Sequence, residues 1–353
     1  MANPFTDFVL ATKPKRLPDA PAIVRNATAP RTLLVAEMFA SNPARQMLQS
    51  GEHIFDLIRL DKFSGAESYL PYDDVNSEEP EVLSKIKTYW RLHRSSFNYS
   101  EEQLKLNSSE EAWIRLLENW RQAAEQGLYE SLQSYLVADP DPLAESQETF
   151  EGKIWNSIFS FITTNGAVPS EYTTAGVTTV MGVNPATKTD WKNQYNTYTA
   201  ADFDGTIFNA MQEMKDNLAW EVPNPKAWVE NSVFRAMHIR TSSAGRRAYI
   251  NWIAEKGNRF FSKSDIYNEI GDPTFFNLPI KRDVHFDAKG WTSPRFYWLD
   301  WNYLNISLHT EMFLKEQDPV KLPNKTNVHR VDTLTWGNLF CGMRNRLGVT
   351  YGA

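Results

Sequence analysis

The chain has 353 residues, of which 42% are hydrophobic and 23% charged, so it can bury a substantial core and overall disorder is excluded. Its formal net charge of −6 and its isoelectric point near 5.6 argue against a dedicated nucleic-acid-binding protein, because such proteins neutralise phosphates with Lys and Arg. The single cysteine, Cys341, excludes an internal disulfide framework and predicts a reducing compartment.

The first residues, MANPFTDFVLATKPKR, contain no apolar stretch long enough for a signal peptide. No other window supplies the roughly 20 apolar residues that a membrane span requires. We therefore expect a protein that is made in the cytoplasm and has no membrane partner.

Residues 1–32 are predicted to form an N-terminal arm. The first 31 residues are rich in Ala, Pro and Thr and carry two acids against five bases, which are Lys13, Lys15, Arg16, Arg25 and Arg31. A segment of this composition cannot bury a core of its own and is expected to be extended. The apolar run that follows, within residues 33–50, predicts a short buried element.

Residues 51–94 predict a long two-stranded excursion. The run GEHIFDLIRLDKF from Gly51 indicates a strand, and residues 85–99 indicate one returning strand. Residues 71–81, between the two, include no base and five acids, which are Asp73, Asp74, Glu78, Glu79 and Glu81. This composition predicts a projecting loop. Because an isolated hairpin is only marginally stable in water, we expect intersubunit contacts from these acids and from the basic arm residues Lys13, Lys15 and Arg16.

A long amphipathic helix is predicted over residues 108–138. Ser108 and Glu111 have the spacing of a capping box, and Pro140 stops the helix. Apolar residues recur at helical spacing between these limits, at Trp113, Leu116, Leu117, Trp120, Ala124, Leu128, Leu132, Tyr135 and Leu136. The stripe is too irregular for a coiled-coil seam, so we expect the helix to lie across a sheet with Trp120 as a structural core residue.

Beyond Pro140 helical and strand patterns mix without an internal repeat, which predicts an α+β fold. Thr199 and Asp202 are expected to form the capping box of a further helix. Other helices are predicted at residues 233–237 and 244–254. Strands are predicted around Trp228, within residues 274–301, at residues 304–308 and through much of the last fifty residues.

The most informative stretch begins at Thr178 and reads TTVMGVNPATKTDWKNQYNTYTAADFDG. Gly182 permits a backbone turn that a side chain would block, and Pro185 constrains the turn after Asn184. Trp191 is expected to anchor this loop by burying its ring. Gly182, Asn184 and Trp191 are therefore predicted to be structural residues.

The order of these elements, together with the Gly-x-Asn-x-x-Thr-x-x-x-Trp pattern of residues 182–191, resembles the major capsid proteins of tailed bacteriophages. The resemblance implies the Hong Kong 97-like fold. It divides the chain into an N-terminal arm (1–32), a peripheral domain (33–50 and 95–140) that contains the spine helix (108–138), an E-loop (51–94), an axial domain (141–300) and a C-terminal part of the peripheral domain (301–353). Residues 297–313 are similar to the family's strand that returns from the axial to the peripheral domain.

This resemblance also implies a function and partners. The family's subunits assemble into hexamers and pentamers of an icosahedral virion shell that encloses double-stranded DNA, with a portal, in some cases a cement protein, and non-specific contacts to DNA. Because only about 31 residues precede the first apolar run, a separate scaffolding protein is expected. An encapsulin-like compartment protein, which uses the same fold, remains an alternative.

An enzymatic alternative comes from Asp202-Phe203-Asp204-Gly205-Thr206, which matches the DxDGT nucleophile motif of haloacid-dehalogenase-type phosphatases. In that chemistry the first carboxylate attacks phosphorus and the second acts as acid and base. The motif requires a buried hydrophobic strand before it, whereas the preceding residues here, NQYNTYTAA, are polar. Asp202 is therefore interpreted as a helix cap, and a chance match is expected for so short a motif.

No metal, cofactor or catalytic site is predicted from the remaining residues. The six histidines include no i, i+4 pair, and one cysteine cannot supply a thiolate zinc site. Cys341 has apolar neighbours and is interpreted as a small buried hydrophobe. The sequence therefore predicts a structural protein.

Overall fold

The computed structural model describes residues 34–40, 45–49, 51, 53–60, 83–102, 110–142, 154–218, 237–256, 273–276, 278–323, 325 and 327–353. The predicted arm, the acidic stretch of the excursion, the capping residue Ser108 and the predicted strand around Trp228 lie outside the described residues.

The described chain is a mixture of helices and strands, as the α+β prediction requires. The helices are α1 (Leu34–Ala40), α2 (Glu110–Leu136), α3 (Ile158–Phe161), α4 (Ser170–Thr174), α5 (Phe203–Leu218), α6 (Ser243–Lys256) and α7 (Val284–Asp287). The strands are β1 (Arg45–Leu48), β2 (His53–Arg59), β3 (Leu83–Tyr89), β4 (Arg91–Ser100), β5 (Gln194–Tyr198), β6 (Met237–Thr241), β7 (Thr274–Phe275), β8 (Leu278–Arg282), β9 (Arg295–Asp300), β10 (Leu304–His309), β11 (Lys315–Glu316), β12 (Val320–Lys321), β13 (Val328–Cys341) and β14 (Gly348–Gly352).

The first sheet is organised around the long strand β13. Strands β10, β11 and β12 pair antiparallel with successive parts of one edge of β13, and β4 pairs antiparallel with the other edge. The β4 register runs from Ser100 opposite Val328 to Arg91 opposite Gly337. Strand β1 extends this sheet by pairing parallel with β10.

The second sheet has the strand order β5-β14-β9-β6-β8-β7. The chain passes between the two sheets where β9 ends at Asp300 and β10 begins at Leu304, close to the predicted boundary at residue 300. The assignment of residues 301–353 to one unit needs a correction, because β14 pairs with β5 and β9 of the second sheet. The sequence of a short strand gives no local signal of which strands it will pair with.

Helix α2 lies across β4 and β13 of the first sheet, which confirms the prediction of a helix on a sheet. Its sheet-facing side chains are buried, namely Leu117, Ala124, Leu128, Leu132 and Leu136. Trp120 is half-buried and packs with its ring 6.5 Å from that of Phe97. Trp120 therefore packs against the core of this helix–sheet contact, although its ring is only partly buried.

The excursion begins as a separate two-stranded sheet of β2 and β3, in register from His53 opposite Tyr89 to Arg59 opposite Leu83. The single returning strand predicted at residues 85–99 is in fact two strands, β3 and β4, which belong to different sheets. Trp90 separates them, and its buried ring donates a hydrogen bond from Nε1 to the Gly51 carbonyl at 2.8 Å. This contact joins Trp90, which precedes β4, to Gly51, which precedes β2, at the base of the excursion.

The prediction of a helix at residues 233–237 is wrong for Met237, the one residue of this range that the structure describes, because Met237 begins strand β6. This strand lies between β8 and β9 and is buried on both faces. A strand of this kind shows no alternation of polar and apolar residues, so periodicity does not distinguish it from a helix.

Asp300 is a buried carboxylate at the point where the chain leaves the second sheet. Its Oδ1 accepts a hydrogen bond from the Asn302 amide at 3.0 Å, and its Oδ2 has no hydrogen-bond partner among the described residues. Burial raises the pKa of Asp300 to about 6, against the smaller opposing effects of the Asn302 hydrogen bonds and Arg346. The folded state therefore binds this proton more tightly than the unfolded state does.

We expect Asp300→Asn to raise the free energy of unfolding at pH 7 by about 1–3 kcal/mol, because the neutral amide avoids the desolvation of a charge. A raised carboxyl pKa lowers stability as pH rises from about 4 to about 6, so the gain should shrink below pH 5. Urea denaturation across this range measures the difference between variant and parent. The exposed Asp190→Asn is the control and should change stability by less than about 0.5 kcal/mol at either pH. A gain independent of pH would contradict the assignment.

Candidate functional site

The predicted loop contains a tight two-residue turn at Met181 and Gly182. Both residues have positive φ, 54° and 83°. Val180 and Val183 exchange backbone hydrogen bonds of 2.9 Å and 3.2 Å across the turn. Positive φ at both central residues is the requirement of a type I′ turn, which explains a glycine at position 182. Met181 adopts the same conformation despite its side chain, which is completely buried.

Trp191 anchors this turn through a buried ring and a hydrogen bond. It ends a 3₁₀ turn (Thr189–Trp191), its ring is 1% exposed, and its Nε1 donates to the Val180 carbonyl at 3.0 Å. Asn184 organises the intervening residues, because its side-chain Oδ1 accepts from the Ala186 amide at 2.8 Å and its carbonyl accepts from the Lys188 amide at 2.9 Å. The Asn-Pro sequence thus forms an Asx turn at the position where the pattern predicted a turn.

A buried arginine from the C-terminal region joins this loop to its surroundings. Arg344 is 0% exposed. Its guanidinium donates to the carbonyls of Phe161 at 2.8 Å, Ala167 at 2.9 Å and Trp191 at 3.4 Å, and to Asn193 Oδ1 at 3.2 Å. The planar fork of an arginine suits several acceptors in one plane. No local pattern in the sequence indicates that Arg344 is buried.

The same loop touches the base of the excursion. The amide of Lys87 on β3 donates to the Met181 carbonyl at 3.1 Å. A Cβ placed on Gly182 would meet only the Lys87 side chain, at 3.8 Å, so conformation rather than space requires glycine here. The loop therefore connects β3, the segment around Phe161 and the C-terminal region.

One face of the β2–β3 hairpin is exposed and apolar. Phe55 and Leu57 are each 57% exposed and Leu83 is 58% exposed, whereas Ile54, Ile58 and Ile86 are buried in the core. Lys85 Nζ lies 4.5 Å from the centroid of the Phe55 ring. In the sequence, apolar residues stand on both faces of β2, at positions 54 and 58 and at positions 55 and 57, and this pattern was used only to predict a strand. We call Phe55, Leu57, Leu83 and Lys85 the hairpin face.

The intersubunit residues predicted from charge are not among those that the structure describes. They are Asp73, Asp74, Glu78, Glu79, Glu81, Lys13, Lys15 and Arg16. Their contacts stay predictions.

The DxDGT match lies at the start of α5 on the surface. Asp202 and Asp204 are both exposed, and the strand before them, β5, is a half-exposed edge strand of the second sheet. Asp202 Oδ1 accepts a hydrogen bond from the Gly205 amide at 3.1 Å, which is an N-cap contact. The predicted capping role of Thr199 is wrong, because its side chain makes no cap hydrogen bond and its amide instead donates to Thr206 Oγ1.

Asp202→Ala is expected to lower the free energy of unfolding by about 1 kcal/mol, whereas Asp202→Asn should change it by only a few tenths, because asparagine caps equally well. Thermal denaturation of the two variants measures this difference. A phosphatase nucleophile would behave differently, since both substitutions would abolish hydrolysis of a phosphomonoester. Hydrolysis by the parent protein that both variants lose would contradict the capping role as the sole function of Asp202.

Within the described ranges, no group of three or more His, Cys, Asp or Glu side chains is placed to hold a metal ion. None of the described helices has the length and apolar character needed to cross a membrane.

No protein-family model and no curated protein matches this chain. Solved structures of phage capsids do match it. A chain of the cyanophage A-1(L) capsid asymmetric unit aligns with a TM-score of 0.57 and 10% identity, over 89% of this chain and 92% of the other. The chain has the Hong Kong 97-like fold.

Two further structures support this fold assignment. A chain from Mycobacterium phage Bobi aligns with a TM-score of 0.52 and 8% identity, over 100% of this chain and 99% of the other. A capsid chain of a native GTA particle aligns with a TM-score of 0.51 and 10% identity, over 93% and 94% of the two chains. In each alignment the Hong Kong 97-like fold therefore covers nearly the full length of this chain and of the solved structure.

Proposed function

We propose that this chain is the major capsid protein of a tailed bacteriophage and that it forms the hexamers and pentamers of an icosahedral, DNA-containing head. The observation that carries the proposal is the likeness to capsid chains over 89–100% of this chain. The Hong Kong 97-like fold of these chains supports shell formation as the main task of the molecule. Its role is structural rather than enzymatic, and its location is the virion.

The proposed parts of the subunit follow from the two sheets. The first sheet with α2 as spine helix is the peripheral domain, and the second sheet with α5 and α6 is the axial domain. The β2–β3 hairpin is the base of the E-loop. Residues 1–32 are the N-terminal arm.

The hairpin face is a natural intersubunit surface. Three large apolar side chains, each more than half exposed, lie on one face of a two-stranded sheet. The other face of this sheet packs against the core. Large apolar side chains grouped on one exposed face are typically covered by a partner, and the residues paired opposite them here are Lys87, Lys85 and Arg59. In a shell that partner is a second copy of the chain, and Lys85 places a positive charge within the same contact.

Replacing Phe55 and Leu57 together with Ser is expected to leave the subunit folded and to reduce the yield of closed shells at least tenfold. Each apolar side chain buried at an interface contributes about 1.5–3 kcal/mol, and the loss is repeated at every contact of the shell. Circular dichroism checks folding, and sedimentation with electron microscopy measures shells. The control is Leu92→Ser, a 58% exposed apolar residue on β4 outside the hairpin. Normal shell yield in the double variant, or an equal loss in the control, would contradict the role of the hairpin.

The further partners remain part of the proposal. A separate scaffolding protein would direct assembly, a portal would replace one vertex, a cement protein is a candidate at the outer surface, and contacts with packaged DNA would be non-specific. An encapsulin-like compartment shell is the second candidate, because it has the same fold.

Electron microscopy of the purified protein tests the proposal. Closed shells that form in the presence of scaffolding protein would support a head protein. Virions in which the same shell encloses phage DNA would also support it. Small shells that enclose a cargo enzyme would instead support the compartment. A monomer of 40.6 kDa that never assembles and hydrolyses phosphomonoesters would refute both.

A further inference from the structure

The base of the β2–β3 hairpin lies where the pairing of β13 with β4 ends. The antiparallel register of these two strands stops at Gly337 opposite Arg91. The side chain of the next residue of β13, Asn338, continues the contact onto β3. Its Nδ2 donates to the Tyr89 carbonyl at 2.9 Å and to Thr88 Oγ1 at 3.1 Å. A side-chain carboxamide therefore takes the place of the backbone ladder where the chain passes from the hairpin into the first sheet.

A second carboxamide reaches the same hydroxyl group. Asn156 Nδ2 donates to Thr88 Oγ1 at 3.0 Å and to the Leu339 carbonyl at 3.3 Å. The Asn156 backbone amide donates to Asn338 Oδ1 at 2.8 Å, and this oxygen also accepts from the Leu339 amide at 2.8 Å. Asn338 thus uses both donors of its carboxamide and accepts twice at its oxygen. We call Thr88, Asn156 and Asn338 the hairpin-base network.

The hairpin-base network is buried. Thr88, Asn156 and Asn338 are 3%, 1% and 0% exposed. Gly337 lets the segment before Asn156 approach β13 closely, because a Cβ at this position would lie only 2.8 Å from the Trp155 ring. Among the described residues Asn156 Oδ1 has no hydrogen-bond partner, so the network already contains one unpaired acceptor.

Apolar packing also holds the hairpin, through the buried side chains of Ile54, Ile58 and Ile86. The free energy of apolar burial depends on area and has no preferred direction, whereas a hydrogen bond weakens steeply when its angle changes. A tilt of the hairpin would withdraw Thr88 and the Tyr89 carbonyl together. Both donors of the Asn338 carboxamide would then be unpaired in the interior, which is the costly state of a buried polar network.

We propose that Thr88 is a positioning residue whose hydroxyl, held by Asn156 and Asn338, fixes the direction of the hairpin in the unassembled subunit. Thr88 is buried on the core side of β3, whereas Phe55 and Leu57 lie exposed on the other side of the hairpin. The hydroxyl therefore presents the hairpin face to a neighbouring copy without touching that copy. A surface that is already ordered loses less conformational entropy when it binds. The identity of the neighbour rests on the proposed shell function, but the fixed direction of the hairpin does not.

Distances between two spin labels in unassembled subunits measure the direction of the hairpin. The labels are attached at Asp56→Cys on β2 and Asn98→Cys on β4, which are both exposed positions. The only natural cysteine, Cys341, is completely buried and does not compete for the label. We expect a narrow distance distribution for the parent and a distribution about twofold broader for Thr88→Val, which keeps the shape of the side chain and removes the hydroxyl.

Thr350→Val is the matched control. Thr350 on β14 is also buried, and its Oγ1 accepts from Trp298 Nε1 at 3.1 Å, so this substitution likewise removes a buried acceptor. Both variants should lower the urea midpoint, but only Thr88→Val should broaden the distance distribution. Thr88→Ser retains the hydroxyl and should keep the parent distribution. A parent-like distribution in Thr88→Val, or equal broadening in Thr350→Val or Thr88→Ser, would overturn the proposal.

Asn156→Ala covers the case in which Thr88→Val does not fold. It removes one of the two donors to Thr88 Oγ1 and retains the backbone hydrogen bond to Asn338 Oδ1. We expect a distance distribution broader than that of the parent. A parent-like distribution would then overturn the proposal.

Shell yield distinguishes a failure of the hairpin-base network from a failure of the proposed function. Thr88→Val is expected to form about fivefold fewer closed shells than the parent, whereas Thr350→Val should form them normally. Normal shells from Thr88→Val subunits with a broadened distance distribution would overturn the role of Thr88 in presenting the hairpin face. A parent protein that forms no shells would refute the shell function, and the label distances would still decide whether Thr88 fixes the hairpin.

Discussion

Trp191→Ala is expected to lower the free energy of unfolding of the subunit by about 3–5 kcal/mol, which is the usual loss for a buried tryptophan. The ring is 1% exposed, and its Nε1 donates to the Val180 carbonyl, so the substitution removes core volume and one of the two hydrogen bonds that this carbonyl accepts. Because Val180 begins the turn that also bonds to Lys87, we expect the contact with β3 to weaken too. Urea denaturation of unassembled subunits measures the loss.

Two variants separate packing from the hydrogen bond at this position. Trp191→Phe keeps a large ring without a donor and should lose less than Trp191→Ala. Tyr195→Ala removes an aromatic ring that is 48% exposed a few residues later, and it should cost less than about 1 kcal/mol. Equal losses at positions 191 and 195 would refute the anchoring role of Trp191.

Arg344→Leu is expected to lower the free energy of unfolding by about 3–5 kcal/mol, although leucine is the more hydrophobic residue. The guanidinium is fully buried and donates to three backbone carbonyls and to Asn193. Leucine would remove the Arg344 donor from the carbonyls of Phe161 and Trp191, whereas the Ala167 carbonyl and Asn193 Oδ1 would keep their hydrogen bonds from Thr163. Arg344→Lys should also be destabilising, because a single ammonium group cannot reach acceptors spread around a planar fork. Chemical denaturation provides the measurement.

Arg94→Leu is the matched control for this prediction. Its side chain is 57% exposed and lies 3.9 Å from Asp332, so the change should remain within about 1 kcal/mol. A loss for Arg344→Leu as small as that for Arg94→Leu would contradict the prediction that the carbonyls of Phe161 and Trp191 depend on the Arg344 guanidinium.

The elements with strong local signals were predictable from sequence. The apolar stripe of α2 repeats over 27 residues and ends before Pro140, so both its type and its extent were visible. The Gly182 turn was visible for a different reason, since positive φ selects glycine and the following Asn-Pro pair favours a turn. The order of such elements was enough to suggest the Hong Kong 97-like fold.

Burial and sheet membership were not predictable in the same way. Trp120 and Trp191 are chemically identical, yet one is half-buried and the other is fully buried, because the first lies at the edge of a helix–sheet contact. The split of residues 85–99 into β3 and β4 depends on the contact between Trp90 and Gly51, which are 39 positions apart in sequence. Local patterns carry no information about partners at that distance.

The sequence by itself determined the fold class, the long helix, the excursion and the turn at Gly182, because each depends on backbone preferences or periodicity within a short window. The tertiary structure alone decided that Arg344 is buried beneath the loop, that β14 joins the second sheet and that Phe55 and Leu57 are exposed together. It also brought Phe159 and Trp291, 132 positions apart, to a ring separation of 6.0 Å. The physical reason is that burial and long-range pairing are properties of the whole packed chain, where each side chain's environment is supplied by residues distant in sequence.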